Sequence, residues 1–403
     1  MDIQVLPQTS PRGRSALQSF WVAALSMILF FPLFATESQG DDIGWILFFA
    51  LGVGLTLGGL FFAFLRANSM GVAGVLSLEA EHVRWQPVPM LPKPASPIEL
   101  PYGELWIADL QGRGENEMMV MKASPTLMFQ MGTRAFSDPG LARPFLEDLL
   151  RRVESLPGGP LLREKIERRR ALAARLQTGR SLATYGIVLV LILVFLVEWA
   201  TGAFGDTDRL LALGANSPPL VARGEIYRLA TANLLHANLV HLIANLLGLI
   251  SLGRLLEPLL GRARFLTLFL GSSLAGAAAS ALVGLPNISV GASTGLFGLA
   301  AASFFVTWRW PDQLLHPPTG KPWLNLAFLF GAPVLMFGSR IDHVAHVGGF
   351  LAGWLLLLLM TRKSDLLLDL PRRNSWPLRI AAMTLIAIFV AAGIRVALSA
   401  PLG

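Results

Sequence analysis

The chain has 403 residues, of which 53% are hydrophobic and only 15% are charged, and its mean hydropathy is +0.56. Soluble domains carry about 25% charged residues, so this composition excludes an ordinary soluble protein and indicates a chain that crosses a membrane several times. The absence of cysteine excludes disulfides and thiolate sites, and we assign the net charge of +7 to the flanks of apolar segments, not to nucleic-acid binding.

Two apolar segments near the N-terminus, residues 16–35 and 43–65, are long enough to span a bilayer. Arg12 and Arg14 precede the first segment and Arg66 follows the second, so the positive-inside rule places both outer ends in the cytoplasm. The first segment lacks a small-x-small cleavage site and is interpreted as a membrane anchor. The pair is predicted to form an N-terminal transmembrane hairpin.

The next stretch, residues 67–158, has the composition of a soluble domain. Short runs in which polar and apolar residues alternate predict strands at residues 74–78, 105–110 and 118–121. An amphipathic helix is predicted around residues 139–156. Strands closed by one helix after a two-helix anchor resemble bacterial membrane proteins that carry a small PH-like barrel. We therefore expect a β-rich cytoplasmic domain that contacts lipid or another protein.

A basic helical linker at residues 159–180 separates this domain from a second membrane region. Further apolar segments follow, at residues 184–204, 235–256, 265–283, 293–307, 323–337, 344–360 and 380–398. With the linker inside the cell, alternating crossings put most arginine-rich connections in the cytoplasm. Five polar side chains then fall in the outer half of the bilayer, namely His236, His241, Ser293, His343 and His346.

The helix that begins at Ser293 is short for a membrane span. It ends near Trp308-Arg309-Trp310, an aromatic and basic interface anchor. About 15 residues at 1.5 Å each give about 22 Å, so Ser293 is expected about 8 Å below the surface of a 30 Å core. Residues 284–292 must then enter the membrane as non-helical chain, which is tolerated only where it is buried in protein or lines a water-filled cavity.

The sequence Gly291-Ala292-Ser293-Thr294-Gly295 has three interpretations. Its two glycines form a GxxxG pair that favours close helix packing, as do Gly349 and Gly353. It also satisfies GxSxG, but that elbow needs a preceding strand and a soluble sheet, which this region lacks. The third interpretation is a nucleophile, and a serine hydroxyl needs a base to become one.

The intramembrane histidines are the candidate bases, since ionisable residues inside a membrane are costly and usually functional. His241 and Asn245 are spaced i,i+4, so they share one helical face and could donate to one oxygen atom. His236 and His241, taken as residues of one helix, lie about 140° apart and are poor joint ligands for a metal. HExxH is absent as well, so no metal site is predicted.

Three separated motifs, within residues 181–360, resemble those of the rhomboid intramembrane serine proteases. HxxxxHxxxN is matched by His236, His241 and Asn245, GxS by Gly291 and Ser293, and AHxxGxxxG by Ala345, His346, Gly349 and Gly353. Tyr227-Arg228 is similar to the Trp-Arg of the family's first outer loop. The end of the second helix, Gly253-Arg254-Leu255-Leu256-Glu257, is also similar.

The resemblance implies a role for each matched residue. Ser293 would be the nucleophile and His346 the general base and acid. The Ser293 N–H with the His241 and Asn245 side chains would form the oxyanion hole, and His236 would shape the outer loop. Phe297, where many relatives have Tyr, would support the His346 ring. Thr294 departs from the family's usual Gly, and no cofactor is implied.

Two neighbours of His346 offer alternatives within the same mechanism. Asp342, at i,i+4, could orient the ring as the acid of a triad, and His343, at i,i+3, is a rival base. The glycine stripe that would bring the helix close to Ser293 lies on the face of His346, at Gly349 and Gly353. The prediction is therefore a Ser293–His346 dyad.

The predicted fold is mostly α: a polytopic membrane protein with a rhomboid-like six-helix core and one extra C-terminal helix. The predicted parts are the hairpin (residues 1–66), the β-rich domain (67–158), the linker (159–180), the protease core (181–362) and the C-terminal helix (363–403). Expected partners are the lipid bilayer and transmembrane substrates, in a bacterial inner membrane. The rival functions are a catalytically silent rhomboid-like binding module and a transporter with a histidine relay, which the missing inverted repeat disfavours.

Overall fold

The computed structural model describes residues 2–5, 74–87, 97–112, 114, 117–123, 128–203, 206–284, 288–314, 342–362, 364–371 and 376–399. The predicted N-terminal hairpin and the predicted span at residues 323–337 lie outside these ranges. The chain forms two compact units, Met1–Ile166 and Glu167–Gly403. Each unit is described by itself.

The first unit is built on two antiparallel sheets. Its strands are β1 (Asp2–Val5), β2 (Gly74–Leu78), β3 (His82–Pro87), β4 (Ile98–Pro101), β5 (Ile107–Gln111), β6 (Met118–Lys122) and β7 (Met128–Gly132). One sheet has the order β1-β2-β3-β4 and the other the order β5-β6-β7. In β2, alternate residues are buried, as expected for a strand with one face on a core.

Helix α1 (Ala142–Glu154) follows the strands and lies where an amphipathic helix was predicted. Phe145, Leu149 and Val153, spaced four residues apart, are buried on one face of α1. They share a core with strand residues such as Leu76 and Met121. Strands followed by one helix agree with the predicted order of elements, while the PH-like assignment stays a prediction.

Strand β1 was not predicted, because four residues are too few to show a period. It pairs with β2, with Asp2 opposite Ser77 and Val5 opposite Gly74. The first unit therefore includes residues that the predicted boundaries assigned to the hairpin. The pairing also brings Val5 and Gly74, which flank residues 6–73, next to each other.

The second unit is helical. Helix α2 (Gly159–Thr178) begins in the first unit and ends in the second. The helices that follow are α3 (Leu182–Ala200), α4 (Thr207–Ala212), α5 (Pro218–Ala222), α6 (Arg228–Thr231), α7 (Leu239–Leu260), α8 (Arg262–Val283), α9 (Ser293–Arg309), α10 (His343–Met360) and α11 (Trp376–Ser399). The short helices α4, α5 and α6 lie in the connection between α3 and α7, residues 201–238, which we call the first loop.

In the part of the chain that the structure describes, five helical stretches are long and apolar enough to cross a membrane. They are Gly159–Ala200, Leu239–Leu260, Arg262–Val283, His343–Met360 and Trp376–Leu398. The protein is therefore a polytopic membrane protein. Helix α9 has 17 residues and reaches about 25 Å, so it is shorter than a 30 Å hydrocarbon core.

Helix α8 is the centre of the second unit, since it packs against α7, α9, α10 and α11. Phe265, Phe269 and Phe305 are fully buried in the core that these helices share. At one end of α7, the buried Glu257 carboxylate accepts hydrogen bonds from the N–H groups of Ala183 and Thr184 at 3.0 and 2.8 Å. This carboxylate satisfies two of the N–H groups that a helix start leaves open, and it joins α7 to α3.

Candidate active site

Ser293 is the first residue of α9, as predicted, and a non-helical segment leads into it. This segment is held by backbone hydrogen bonds to the first loop. Asn216 and Ser289 exchange two of them at 3.0 Å each, and the Gly291 N–H donates to the Ala232 carbonyl at 2.9 Å. Irregular backbone in a membrane protein needs such partners, so the first loop fixes the position of the serine.

His346 lies in the first turn of α10, which passes close to α9. A Cβ on Gly349 would overlap the Thr294 carbonyl oxygen, and a Cβ on Gly353 would overlap the backbone of Gly298. Only glycine at these two positions allows the two helix backbones to approach so closely. This close approach puts the first turn of α10 beside the first turn of α9.

The two side chains meet at this point. Ser293 Oγ lies 2.7 Å from His346 Nε2, and His346 as a whole residue is 9% exposed. Phe297, one turn along α9 from the serine, stacks on the imidazole with ring centroids 4.2 Å apart and planes 16° apart. A neutral imidazole in this contact can accept the serine proton, so the geometry is that of a serine with an adjacent base.

Asp342 and His343 flank the helix start near His346, and their contacts differ from those of His346. The Asp342 carboxylate caps α10: it accepts the Ala345 N–H at 2.9 Å and a hydrogen bond from the Ser280 hydroxyl of α8. It therefore fixes the helix that carries His346 without bonding to the imidazole itself. The His343 side chain is exposed. The contact with Ser293 Oγ is made by His346.

The His241 ring lies against the segment that enters the membrane. A Cβ on Gly291 would lie 2.6 Å from His241 Cε1, 2.8 Å from its Nε2 and 3.7 Å from Ser293 Oγ. Gly291 also has φ +123°, a conformation that side chains rarely allow. Asn245 is buried, and its Nδ2 donates to the His241 carbonyl at 2.9 Å, so one of its two amide protons remains for another acceptor.

The prediction that His236 and His241 lie on one helix is wrong. Helix α7 begins at Leu239, because the Asn238 side chain caps it by accepting the His241 N–H at 2.8 Å. His236 therefore lies in the non-helical segment before α7. The centroids of the His236 and His241 rings lie 5.2 Å apart, with the rings edge-on to each other. Two side chains about 140° apart on one helix would point in different directions and lie farther apart.

Glu198 is a site residue that the sequence analysis missed. It lies in α3 with no exposed surface, and its Oε1 accepts the His236 N–H at 2.8 Å. Within the described residues, its Oε2 has no hydrogen-bond partner. The available signal was a single carboxyl group within an otherwise apolar span, which is costly unless it has a role.

Replacing Glu198 with leucine is expected to destabilise the protein, because the buried His236 N–H loses its acceptor. An unsatisfied buried donor costs about 1–3 kcal/mol, and each kcal/mol lowers the unfolding midpoint of a domain this size by about 2–4 °C. Thermal unfolding in detergent measures the effect. Glu198→Gln, which keeps an acceptor oxygen, is the matched control and should unfold close to the wild type. Equal midpoints for Glu198→Leu and wild type would show that this bond contributes nothing.

Arg228 organises the first loop. Its guanidinium is buried and donates to the carbonyls of Leu211 and Ala215 at 2.6 and 3.0 Å, and it pairs with Glu225 at 2.7 Å. Hydrogen bonds from the Tyr227 hydroxyl and from Arg228 lower the pKa of Glu225. Because the pKa is lowered, this pair stabilises the folded loop at neutral pH, and the contribution is lost as the pH falls through the lowered pKa.

The second structural contribution that sequence reasoning missed is Asn216. Its side chain is buried and donates to the Ala277 carbonyl of α8 at 3.1 Å, while its backbone pairs with Ser289. An asparagine in a loop gives no sequence signal for such a contact.

Among the described residues, no cluster of three or more His, Asp or Glu side chains could hold a metal ion.

The residues of this site lie in the part of the chain that a known protein family matches. A family model described as the Rhomboid domain matches residues 223–363. This range includes every residue of the three motifs and the first-loop residues Tyr227 and Arg228.

Individual proteins that resemble this chain also carry rhomboid names. Rhomboid protease GluP of Bacillus subtilis is 32% identical over 235 residues, which cover 57% of this chain and 43% of that protein. Rhomboid-like protease 1 of Toxoplasma gondii is 31% identical over 189 residues, or 44% of this chain and 61% of that protein. The putative rhomboid protease YdcA of Bacillus subtilis is 33% identical over 146 residues, or 36% of this chain and 72% of that protein. The chain thus spans less than two thirds of the first two relatives.

Proposed function

The chain belongs to the rhomboid family, and from this premise we propose that it is an intramembrane serine endopeptidase that uses a Ser293–His346 dyad. The observation that carries the proposal is the 2.7 Å contact between Ser293 Oγ and His346 Nε2. The names of the relatives support a hydrolase of this family, and the contact supports Ser293 as its nucleophile and His346 as its base.

In the proposed reaction, Ser293 Oγ attacks the carbonyl carbon of the scissile peptide bond while His346 Nε2 takes the hydroxyl proton. The tetrahedral intermediate collapses with cleavage of the C–N bond, and His346 gives the proton to the leaving amine. A water molecule then attacks the acyl ester, again giving its proton to His346. Cleavage of the ester bond returns that proton to Ser293 Oγ and releases the carboxylic acid.

The oxyanion of the intermediate needs donors close to Ser293. We assign this role to the Ser293 N–H at the start of α9 and to the side chains of His241 and Asn245. The bare Cα of Gly291 beside the His241 ring supports the assignment, because a side chain there would fill the space in front of the imidazole. Losing one such donor typically lowers kcat by about 10²–10³-fold.

Phe297 is assigned the support of the imidazole. Its stacked ring limits rotation of His346 and keeps Nε2 towards the serine. Where many relatives carry tyrosine, this chain has no hydroxyl group to bond to its surroundings. Its contribution is therefore one of shape and dispersion alone.

The proposed substrates are transmembrane segments of other membrane proteins, within the lipid bilayer. A peptide bond inside a helix is shielded, so the substrate must unwind locally, and spans with small or helix-breaking residues are the expected targets. We propose a multi-pass protein of a bacterial inner membrane, with the site opening to the outer side and the β-rich domain in the cytoplasm, where it contacts lipid or a client protein. The arginine-rich connections support this orientation.

The alternative is a catalytically silent rhomboid-like protein that binds membrane proteins without cutting them. Such a protein has no need for a hydroxyl and an imidazole in hydrogen-bond contact at the end of two closely packed helices. The intact pair therefore favours the protease.

The test is to incubate the purified protein in lipid nanodiscs with a single-span substrate whose span contains glycine and proline. Mass spectrometry then identifies the new termini. The protease predicts two products that meet at one peptide bond in or next to the span. Recovery of the intact substrate, bound to the protein, would favour the silent alternative.

A further inference from the structure

Helix α11 lies beyond the family match, which ends at residue 363, and packs on the second unit with one face. The residues of this face recur at helical spacing, at Ala382, Leu385, Phe389, Ala392 and Val396. Phe389 and Ala392 belong to the shared hydrophobic core. The opposite face, with Met383 68% and Ile394 55% exposed, suits lipid. The helix therefore has one specific contact face, directed at α8 and α6.

The last turns of α11 contact the first loop at Gly214. This glycine has φ +94° and lies between two side chains, since a Cβ there would be 2.5 Å from Thr231 Oγ1 and 3.1 Å from Val396 Cγ2. Burial raises the pKa of Tyr227 in this loop, and the positive charge of Arg395, one residue before Val396, is among the charges that oppose the rise. Both observations bring the same end of α11 to the loop.

From Gly214 the contacts lead to the serine. Thr231 Oγ1 donates to the Gly214 carbonyl at 2.6 Å, which fixes the turn against α6. Two residues after Gly214, Asn216 pairs with Ser289. One residue after Thr231, the Ala232 carbonyl accepts the Gly291 N–H. The first loop thus holds the segment before Ser293 at two points, Ser289 and Gly291. Val396 packs against the turn at Gly214, which the hydrogen bond to Thr231 ties to α6.

We infer that α11 is a positioning element for the nucleophile: Val396, through Gly214 and Thr231, holds the first loop in the form that fixes Ser289 and Gly291. The inference rests on the proposed function for its effect on rate, but its structural part does not. Loosening the loop moves Ser293 relative to His346, so the change acts on the reacting pair. It should therefore lower kcat and not raise KM.

The experiment compares Val396→Ala with Ile394→Ala. Both remove aliphatic atoms from the same turn of α11, but Ile394 lies on the opposite face of the helix, where it is 55% exposed. In the full-length protein, Val396→Ala is expected to lower kcat about 3- to 10-fold with KM unchanged, since a displacement of about 1 Å costs up to about 10²-fold. Ile394→Ala and the conservative Val396→Ile should keep the wild-type kcat.

Hydrogen–deuterium exchange gives a readout independent of activity. Val396→Ala should speed exchange at the Ser289 and Gly291 amides, while exchange in α1 of the first unit stays unchanged. Equal kcat and equal exchange for the two alanine variants would overturn the inference, as would a uniform rise in exchange throughout the second unit. If the wild type does not cleave, or Ser293→Ala does, the proposed function fails, and the exchange comparison still decides the role of α11.

Discussion

Replacing Ser293 with alanine is expected to lower the rate of substrate cleavage by at least about 10⁴-fold, and His346→Ala should have a similar effect. The reason is that the proposed mechanism needs both groups, whose atoms lie 2.7 Å apart: without the base, the hydroxyl stays protonated and is a poor nucleophile. For the same reason the double variant should be no slower than the slower single variant. Initial rates with a fluorogenic transmembrane substrate in nanodiscs measure all three.

Matched controls are available on the same two helices. Ser303→Ala removes a hydroxyl farther along α9, and His343→Ala removes an exposed imidazole one turn from His346. Both should cleave at close to the wild-type rate. If His343→Ala is as slow as His346→Ala, the base has been misassigned. Multiplicative losses in the double variant would mean that the two residues act in separate steps.

The second large effect is expected from a single methyl group. Gly349→Ala puts a Cβ into the Thr294 carbonyl oxygen, which is backbone and cannot turn aside, so α10 must move away from α9. His346 lies one helical turn before Gly349, and Ser293 is the residue before Thr294. The movement of α10 therefore separates the two side chains. A displacement of about 1 Å in a reacting pair costs about 10²-fold, so we expect a loss of that size in kcat.

The control for this change is Gly393→Ala in α11, where a Cβ would have no other atom within 4 Å. Alanine is the better helix former, so Gly393→Ala should leave the rate unchanged and raise the unfolding midpoint slightly. Thermal unfolding must accompany the rate measurement. Gly349→Ala with the wild-type rate would show that the helices tolerate a wider separation. The close packing would then be irrelevant to the dyad.

Thr294 shows how the same packing absorbs a departure from the family pattern. A β-branched residue after Ser293 restricts the backbone more than the glycine of the usual family pattern would. Its methyl group instead occupies space left by two glycines: a Cβ on Gly276 would overlap Thr294 Cγ2, and one on Gly349 would lie 3.0 Å from it. The side chain is buried between α8 and α10 and packs there.

Sequence reasoning predicted the parts of the fold that local patterns determine. The start of α9 at Ser293 and the order of strands and helix in the first unit follow from periodicity, glycine and proline positions and apolar length. The contacts of Gly349 and Gly353 with α9 are where their spacing on the face of His346 led us to expect them. Each of these features is encoded within a few consecutive residues.

The remaining features depend on residues far apart in the chain. His236 was assigned to a helix because the apolar pattern starts at Leu235, whereas the cap at Asn238 sets the real boundary. The role of Glu198 depends on the backbone N–H of His236, which is 38 residues away in the sequence. The pairing of Asn216 with Ser289 likewise exists only once the first loop has folded onto the segment before α9. No local pattern contains these partners.

If His346 activates the Ser293 hydroxyl, a reagent that reacts with activated serines should modify Ser293 only when the imidazole is present. The protein in nanodiscs is treated with a serine-reactive fluorophosphonate, and the modified peptide is mapped by mass spectrometry. We expect one adduct, on Ser293 Oγ, that forms in the wild type and in His343→Ala and is lost in His346→Ala. An adduct on another residue, or labelling of Ser293 at the same rate without His346, would contradict it.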